Sequence, residues 1–309
     1  MSLAPIRVAI VGLGKIAHDQ HLFAIAADPA FQLAATVDPQ GGIPDVPHFA
    51  SLADLLERGP EIDAVAVCTP PQARYRMADL ALAHGLHVLL EKPPAAELAE
   101  VVALEERAVS AGSTLFAAWH SRFAAGVAPA RAWLAERRVL SVSIIWREDV
   151  RIWHPGQPWI FRSGGLGVFD PGINALSIAT CILSGPILLD SAELEIPSNC
   201  DMPIAARLAM RDGNGAAIAM DLDFLQTGPQ TWDIAVETDS GRLLLEKGGA
   251  ILTLPDGVVQ GEDREYAGVY ARFAELIKSG ASEVDCEPLR LVSDAFQRGA
   301  TRRVAPFIE

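Results

Sequence analysis

The sequence predicts an α/β chain in two parts: a doubly wound parallel sheet up to about residue 122, then an α+β domain with a mostly antiparallel sheet over 123–309. Three observations carry this. Between residues 6 and 118 five short runs are apolar at nearly every position: Ile6–Val11, Phe31–Val37, Ile62–Cys68, His87–Leu90 and Thr114–Ala118. Helical stretches separate them, and a strand apolar on both faces belongs between two helix layers, as in a parallel sheet. Beyond residue 122 the alternation stops, and Asp212-Gly213-Asn214-Gly215 and Asp239-Ser240-Gly241 read as hairpin turns.

In order, the second part reads as a helix near 123–136, a strand near 140–147 and a long irregular segment from Arg147 to Gly165. A helix from Pro171 to Leu183, several strands over 187–255 and two closing helices near 265–278 and 287–300 follow. At 309 residues, half of them apolar and 21% charged, the chain has the composition of a folded two-domain protein. Its net charge of −14 is the reverse of a nucleic-acid binder's, so no nucleic-acid partner is expected. Cys68, Cys181, Cys200 and Cys286 are scattered, without C-x-x-C spacing, so neither a metal site nor a disulfide framework is expected. No signal-peptide pattern and no apolar run near the roughly 20 residues of a membrane helix are evident, so a cytoplasmic location and no membrane partner are expected.

The end of the first strand carries chemistry. Gly12-Leu13-Gly14-Lys15-Ile16-Ala17 is G-x-G-x-x-A between a strand and a helix. Gly12 permits the tight turn, Gly14 permits close approach of a pyrophosphate, and Ala17 permits close helix–strand packing. The helix start, at Lys15 and Ile16, presents N–H groups and the positive end of its dipole to phosphate. Asp38 ends the second strand, where an acid bonds a ribose 2′-hydroxyl and repels a 2′-phosphate. The expected cofactor is therefore NAD bound on a Rossmann domain, with NADP disfavoured by Asp38 and by the absence of Arg in Pro39-Gln40.

Glu91-Lys92-Pro93 after the fourth strand, Thr69-Pro70-Pro71 after the third, and Gly164-Gly165-Leu166-Gly167-Val168-Phe169-Asp170-Pro171-Gly172-Ile173-Asn174 join that loop. Together they resemble the Gfo/Idh/MocA oxidoreductase family across both domains. The family's usual His is replaced here by Asn174, and Asn takes no proton. With Trp119-His120-Ser121-Arg122, the run Trp146 to Val150 and Trp153 to Gln157, this is most similar to the family's bacterial aldose 1-dehydrogenase branch. The resemblance implies oxidation of an aldose (D-galactose first, L-arabinose or D-fucose next) at C1 to the aldonolactone. It also implies Thr69, Pro70, Pro71, Glu91, Lys92 and His120 on the cofactor side, and a homo-oligomer, a dimer or tetramer, formed through the open face of the second sheet.

Such chemistry needs a group to take the C1 hydroxyl proton and a donor to hold the developing charge. Lys92, past the carboxyl end of a strand, suits the donor. Asp170 suits the base, although Asp-Pro is also a good helix start with Asp as N-cap. Asn174, one helical turn on, suits an orienting role, which makes Lys92, Asp170 and Asn174 the catalytic set, with Lys92 the alternative base. Lys92, His120, Glu148, Trp153, His154, Asp170 and Asn174 are the expected substrate contacts. His120 and His154 read equally as core or surface residues, Glu148 as a solvated edge charge, and the Trp residues of the irregular segment as loop anchors. Two other readings stand beside this one: a non-catalytic dinucleotide or sugar sensor of the same fold, and a polyol or diol dehydrogenase of the same family.

Overall fold

The computed structural model describes residues 4–308, which fall into two compact units. Unit 1 takes in the chain through His120 together with Tyr266–Cys286; unit 2 takes in Ser121–Glu265 and the chain from Glu287 on.

The apolar runs of unit 1 become the strands β1 (Ile6–Val11), β2 (Phe31–Val37), β3 (His48–Phe49), β4 (Ala64–Val67), β5 (His87–Glu91) and β6 (Leu115–Ala118). They form one parallel sheet in the order β3-β2-β1-β4-β5-β6. The chain order reverses beside β1, and in such sheets ligands bind off the carboxyl ends of the strands at that point. Val8, Ala9 and Ile10 of β1 and all of β4 are fully buried, as strands between helix layers must be. The helices are α1 (Leu22–Ala27, entered through a π turn at Ala17–His21), α2 (Leu52–Arg58), α3 (Pro71–Ala83) and α4 (Leu98–Ala111). Ser51 caps α2 by accepting the Asp54 N–H, and Glu97 and Glu100 form a capping box on α4.

Unit 2 opens with α5 (Val127–Leu134), β7 (Val139–Arg147), the short α6 (Val150–Trp153) and α7 (Phe169–Ile182). It continues with β8 (Leu188–Pro197), β9 (Ala205–Arg211), β10 (Ala217–Asp223), β11 (Thr231–Thr238), β12 (Gly241–Glu246), β13 (Ile251–Leu254) and β14 (Gly257–Gln260). After α8 (Glu265–Ser279), α9 (Glu287–Arg298) and β15 (Ala300–Val304) end the chain. The nine strands run in the order β14-β13-β12-β11-β7-β10-β9-β8-β15, antiparallel except at β7/β10 and β8/β15. Both hairpin turns fall where the sequence places them, between β9 and β10 and between β11 and β12. Alternate residues of β9 and β10 (Ala206, Leu208, Met210; Ile218, Met220, Leu222) are buried, so the sheet packs one face. The other face is an open groove lined by small residues such as Ser141, Ser143, Ala217 and Ala219.

Three expectations are corrected. The helix read over 123–136 is shorter, because a 3₁₀ turn at His120–Phe123 and Gly126 precede α5. β15 was not expected: Ala300-Thr301-Arg302-Arg303-Val304 is an exposed edge strand with no apolar alternation to reveal it. The single division at residue 122 is replaced by a chain that returns, since Tyr266–Cys286 belongs to unit 1. There Phe273 of α8 stacks on Phe31 and Phe116, and Glu283 extends the pairing of β6. All four cysteines are unbridged. Among the described residues no helix is long and apolar enough to cross a membrane, and no cluster of His, Cys, Asp and Glu could hold a metal ion.

Candidate functional site

Each unit carries its own set of candidate residues. In unit 1 the loop after β1 is shaped by Gly12, at φ +95°. A Cβ there would lie 2.9 Å from the Thr69 backbone N and 3.1 Å from the Cys68 carbonyl carbon, so only Gly lets β1 and β4 close at this end. At Gly14 a Cβ would meet nothing within 4 Å, which leaves open space against the backbone. Asp38 accepts the Leu13 N–H at 2.9 Å with one carboxylate oxygen and the Gln40 N–H at 2.8 Å with the other. Each oxygen keeps acceptor capacity for a ribose hydroxyl. The Thr69 hydroxyl, beside Gly12, is buried with no hydrogen-bond partner among the described residues, an exception that calls for a ligand or water. Lys15 turns its ammonium to Asp19, so its contribution to this loop is its backbone. These features fit a dinucleotide held by Gly12, Gly14, Lys15, Ile16, Asp38 and Thr69. Pro70 and Pro71 lead into α3, with Pro71 its first residue.

Glu91-Lys92-Pro93 closes β5. Arg74 of α3, 3% exposed, donates to the carbonyl of Glu91 at 2.6 Å and also to those of Pro93 and Thr69. Glu91 turns inward instead of toward the loop. Its Oε1 accepts from His21 Nε2 (3.0 Å) and from the Tyr266 hydroxyl (2.6 Å), and its Oε2 accepts the Lys92 N–H (2.9 Å). His21 in turn meets the Tyr270 hydroxyl through Nδ1 at 2.8 Å. Burial by itself would push the Glu91 carboxyl up, but the bond and charge of His21, with His120 and Tyr266, hold it down at about 2. Burial would likewise lower His21; Cys68, Tyr270 and Glu91 outweigh it and raise it well above the usual imidazole value. Burial pushes the Tyr270 hydroxyl up to about 12. The result is a buried ion pair, His21 with Glu91. His120 stacks on the Tyr266 ring, with centroids 5.3 Å apart.

In unit 2 the end of β7 and the segment after it meet the start of α7. Glu148 is 1% exposed and its two oxygens accept from His154 Nε2 and from Trp232 Nε1, each at 2.9 Å. It is therefore not a solvated edge charge. His154 directs Nδ1 toward Asp170 Oδ2 at 3.9 Å, longer than a hydrogen bond. Asp170, 4% exposed, is not the N-cap expected from Asp-Pro. The Gly167 turn, to whose carbonyl the Asp170 N–H donates, starts α7 earlier, and Val168 holds the cap position. The Asp170 carboxylate thus sits inside the first turn of α7. Asn174 follows one turn later, half-buried on the same side. Trp153, 38% exposed, tilts against Trp232 with centroids 4.7 Å apart, and Trp146 stacks with the same Trp232 ring at 5.9 Å.

Sequence reasoning missed His21, Tyr266, Tyr270 and Trp232. The last three lie far along the chain from the motifs they serve. His21 sits only four residues past Ala17, and its one signal was a His on the buried side of the first helix.

A family model described as "Oxidoreductase family, NAD-binding Rossmann fold" (Gfo/Idh/MocA) matches residues 6–118. A galactose 1-dehydrogenase of Pseudomonas fluorescens is 47% identical over 311 residues, an alignment covering 99% of this chain and all of that protein. A crystal structure of a D-galactose-1-dehydrogenase protein from Rhizobium etli superposes with a TM-score of 0.95 at 50% identity, covering 100% of this chain and 99% of that one. The 3-ketoreductase KijD10 of Actinomadura kijaniata, at 20% identity, shares the fold alone, with a TM-score of 0.84 over 97% of this chain and 99% of that one.

Proposed function

This chain belongs to the Gfo/Idh/MocA oxidoreductase family, and from that premise we propose that it oxidises an aldose, D-galactose first, at C1 to the aldonolactone with NAD. The observation that carries the reading is the unit 2 cluster: Asp170, His154 and Glu148 ranged beside the rings of Trp153 and Trp232. A pyranose presents hydroxyls at its rim and C–H groups on its face, and polar side chains beside Trp rings suit both. The 47% identity to a galactose 1-dehydrogenase along the whole chain supports the substrate class.

When bound, the nicotinamide dinucleotide supplies the hydride acceptor. Asp170 takes the proton of the C1 hydroxyl. Lys92 holds the oxygen's developing negative charge and is the alternative base. Asn174 orients the hydroxyl without taking a proton. His154 bonds Glu148 through Nε2 and turns Nδ1 to meet a sugar hydroxyl. Glu148 then acts through His154, as a positioning residue. Trp153 covers a sugar face, and His120 is a further contact to cofactor or sugar. The open groove on the nine-stranded sheet is the proposed surface of a homo-oligomer.

The test is the purified protein with NAD or NADP and a panel of D-galactose, L-arabinose, D-fucose and D-xylose, followed by nicotinamide absorbance and lactone analysis. The highest kcat/KM is expected with D-galactose and NAD. Tight NAD binding without turnover of any aldose would overturn the reading in favour of a sensor.

A further inference from the structure

A buried ion pair is an expensive thing to build, and none of the proposed chemistry uses the charges of His21 and Glu91 directly. Their arrangement has a direction, however. The Glu91 carboxylate accepts the backbone N–H of Lys92, and Arg74 donates to the carbonyls on either side, those of Glu91 and Pro93. The backbone of Lys92 is thus gripped at the residue before, the residue itself and the residue after. The grip at the N–H is stronger with Glu91 ionised, and the Glu91 carboxyl, although buried, is held down by His21. The counter-charge comes from His21, at the end of the π turn that follows the phosphate loop. π turns inside helices recur at functional sites. Here the turn carries the chain from Ala17 to the fully buried imidazole.

We propose that His21 and Glu91 form a positioning unit that fixes the backbone of Lys92, and so the reach of its ammonium, with Tyr266 and Tyr270 completing the unit from α8. The groups facing the pair are Cys68 at the end of β4, Tyr266 and Tyr270 on α8, and His120 after β6. Tyr270 sets the His21 ring from its other nitrogen, and Tyr266 shares Oε1 of Glu91 with His21. The unit ties the first helix, the end of β5 and the returning segment to one lysine backbone. Its catalytic consequence rests on the aldose dehydrogenase reading above; its structural consequence at Lys92 does not.

The experiment compares the full chain with His21→Phe, which keeps a ring against Tyr266 and removes the donor to Glu91. Hydrogen–deuterium exchange of the peptide containing Lys92, measured without substrate, is expected to quicken at least tenfold. With D-galactose and NAD, kcat is expected to fall about 10- to 100-fold while the Kd for NAD stays within threefold. The variant's kcat should then climb with pH, up to tenfold per unit, as Glu91, left without its counter-charge, ionises and strengthens its bond to the Lys92 N–H. Glu91→Gln in the same background should remove that climb, a signature that loss of packing alone does not produce. Native exchange at Lys92, or kcat within twofold of native with an unchanged pH profile, overturns the proposal. If His21→Phe does not fold, Tyr266→Phe takes its place, with exchange at Lys92 expected to quicken threefold or more and native exchange overturning the proposal. A native protein that turns over no aldose overturns the substrate reading only, because exchange at Lys92 still decides the positioning role.

Discussion

A methyl group added at Gly12 has no room, while one added at Gly14 meets nothing. At Gly12 the new Cβ would lie 2.9 Å from Thr69 N, 3.1 Å from the Cys68 carbonyl carbon and 3.1 Å from Thr69 Cγ2, and φ is +95°. Two of those neighbours are backbone at the end of a central strand and cannot rotate away. The left-handed conformation costs an L-residue ~1–2 kcal/mol, and overpacking against a fixed neighbour adds ~1–3 kcal/mol. Gly12→Ala should therefore lose about 2–5 kcal/mol. At roughly 2–4 °C per kcal/mol the melting transition of unit 1 falls by about 4–20 °C. Gly14→Ala should leave that transition within about 1 °C, because its Cβ enters open space. The same Cβ occupies the space a pyrophosphate needs, so NAD affinity should fall at least about tenfold, or ~1.4 kcal/mol. Differential scanning fluorimetry and titration calorimetry with NAD read the two effects separately. A Gly14→Ala protein that binds NAD within twofold of native would refute the assignment of this loop. A Gly12→Ala protein as stable as native would refute the packing argument.

Three further outcomes follow from the same geometry. Asp170→Asn, nearly isosteric in the first turn of α7, should lower kcat by about 10²–10⁴ with the NAD Kd unchanged; near-normal turnover removes Asp170 as the base. Asp38→Ala removes the acceptor of the Leu13 and Gln40 N–H groups and the charge that opposes a 2′-phosphate. The NAD-to-NADP ratio of kcat/KM should therefore drop about tenfold or more, and an unchanged ratio would place the selectivity elsewhere. The His21–Glu91 pair also predicts a pH dependence of stability. The contribution of Glu91, held at about 2 against an ordinary 4.5, is present above 4.5 and is lost as pH falls toward 2. That of His21, raised above its ordinary 6.5, is fully present below 6.5 and is lost as pH rises through the raised value. Native stability relative to His21→Gln, measured by urea unfolding, should therefore be largest between about pH 4.5 and 6.5, and a difference flat across pH 3–9 would sink the ion pair.

Much of unit 1 was readable because its signals are local. β1 and β2 begin and end where their apolar runs do, and Gly12, Gly14 and Asp38 stand at fixed offsets from strand ends. The hairpin turns of unit 2 are equally local, since two residues of turn chemistry decide them. Where a local rule met a tertiary one, the tertiary one prevailed. Asp170-Pro171 has the composition of a helix cap, yet the Gly167 turn and the bond from Val168 N–H to Pro203 begin the helix before it. Glu148 reads as an edge charge until Trp232, 84 residues away, and His154 close over it.

By itself, then, the sequence determined the strand–helix alternation, the phosphate loop, the acid at Asp38 and the presence of Lys92, Asp170 and Asn174 in motifs that name a family. Tertiary structure alone decided which of these side chains bond to which neighbours. Glu91 shows the difference. Its motif position suggested the cofactor, and its carboxylate instead joins His21, 70 residues before it, to Tyr266, 175 residues after it. Burial of a charge is tolerated only beside a partner, and a partner that distant leaves no periodicity or spacing in the chain. The phosphate loop was visible in a dozen letters because its chemistry is backbone and local. The hold on Lys92 was not, because its three carriers meet only once the sheet has formed and α8 has returned to it.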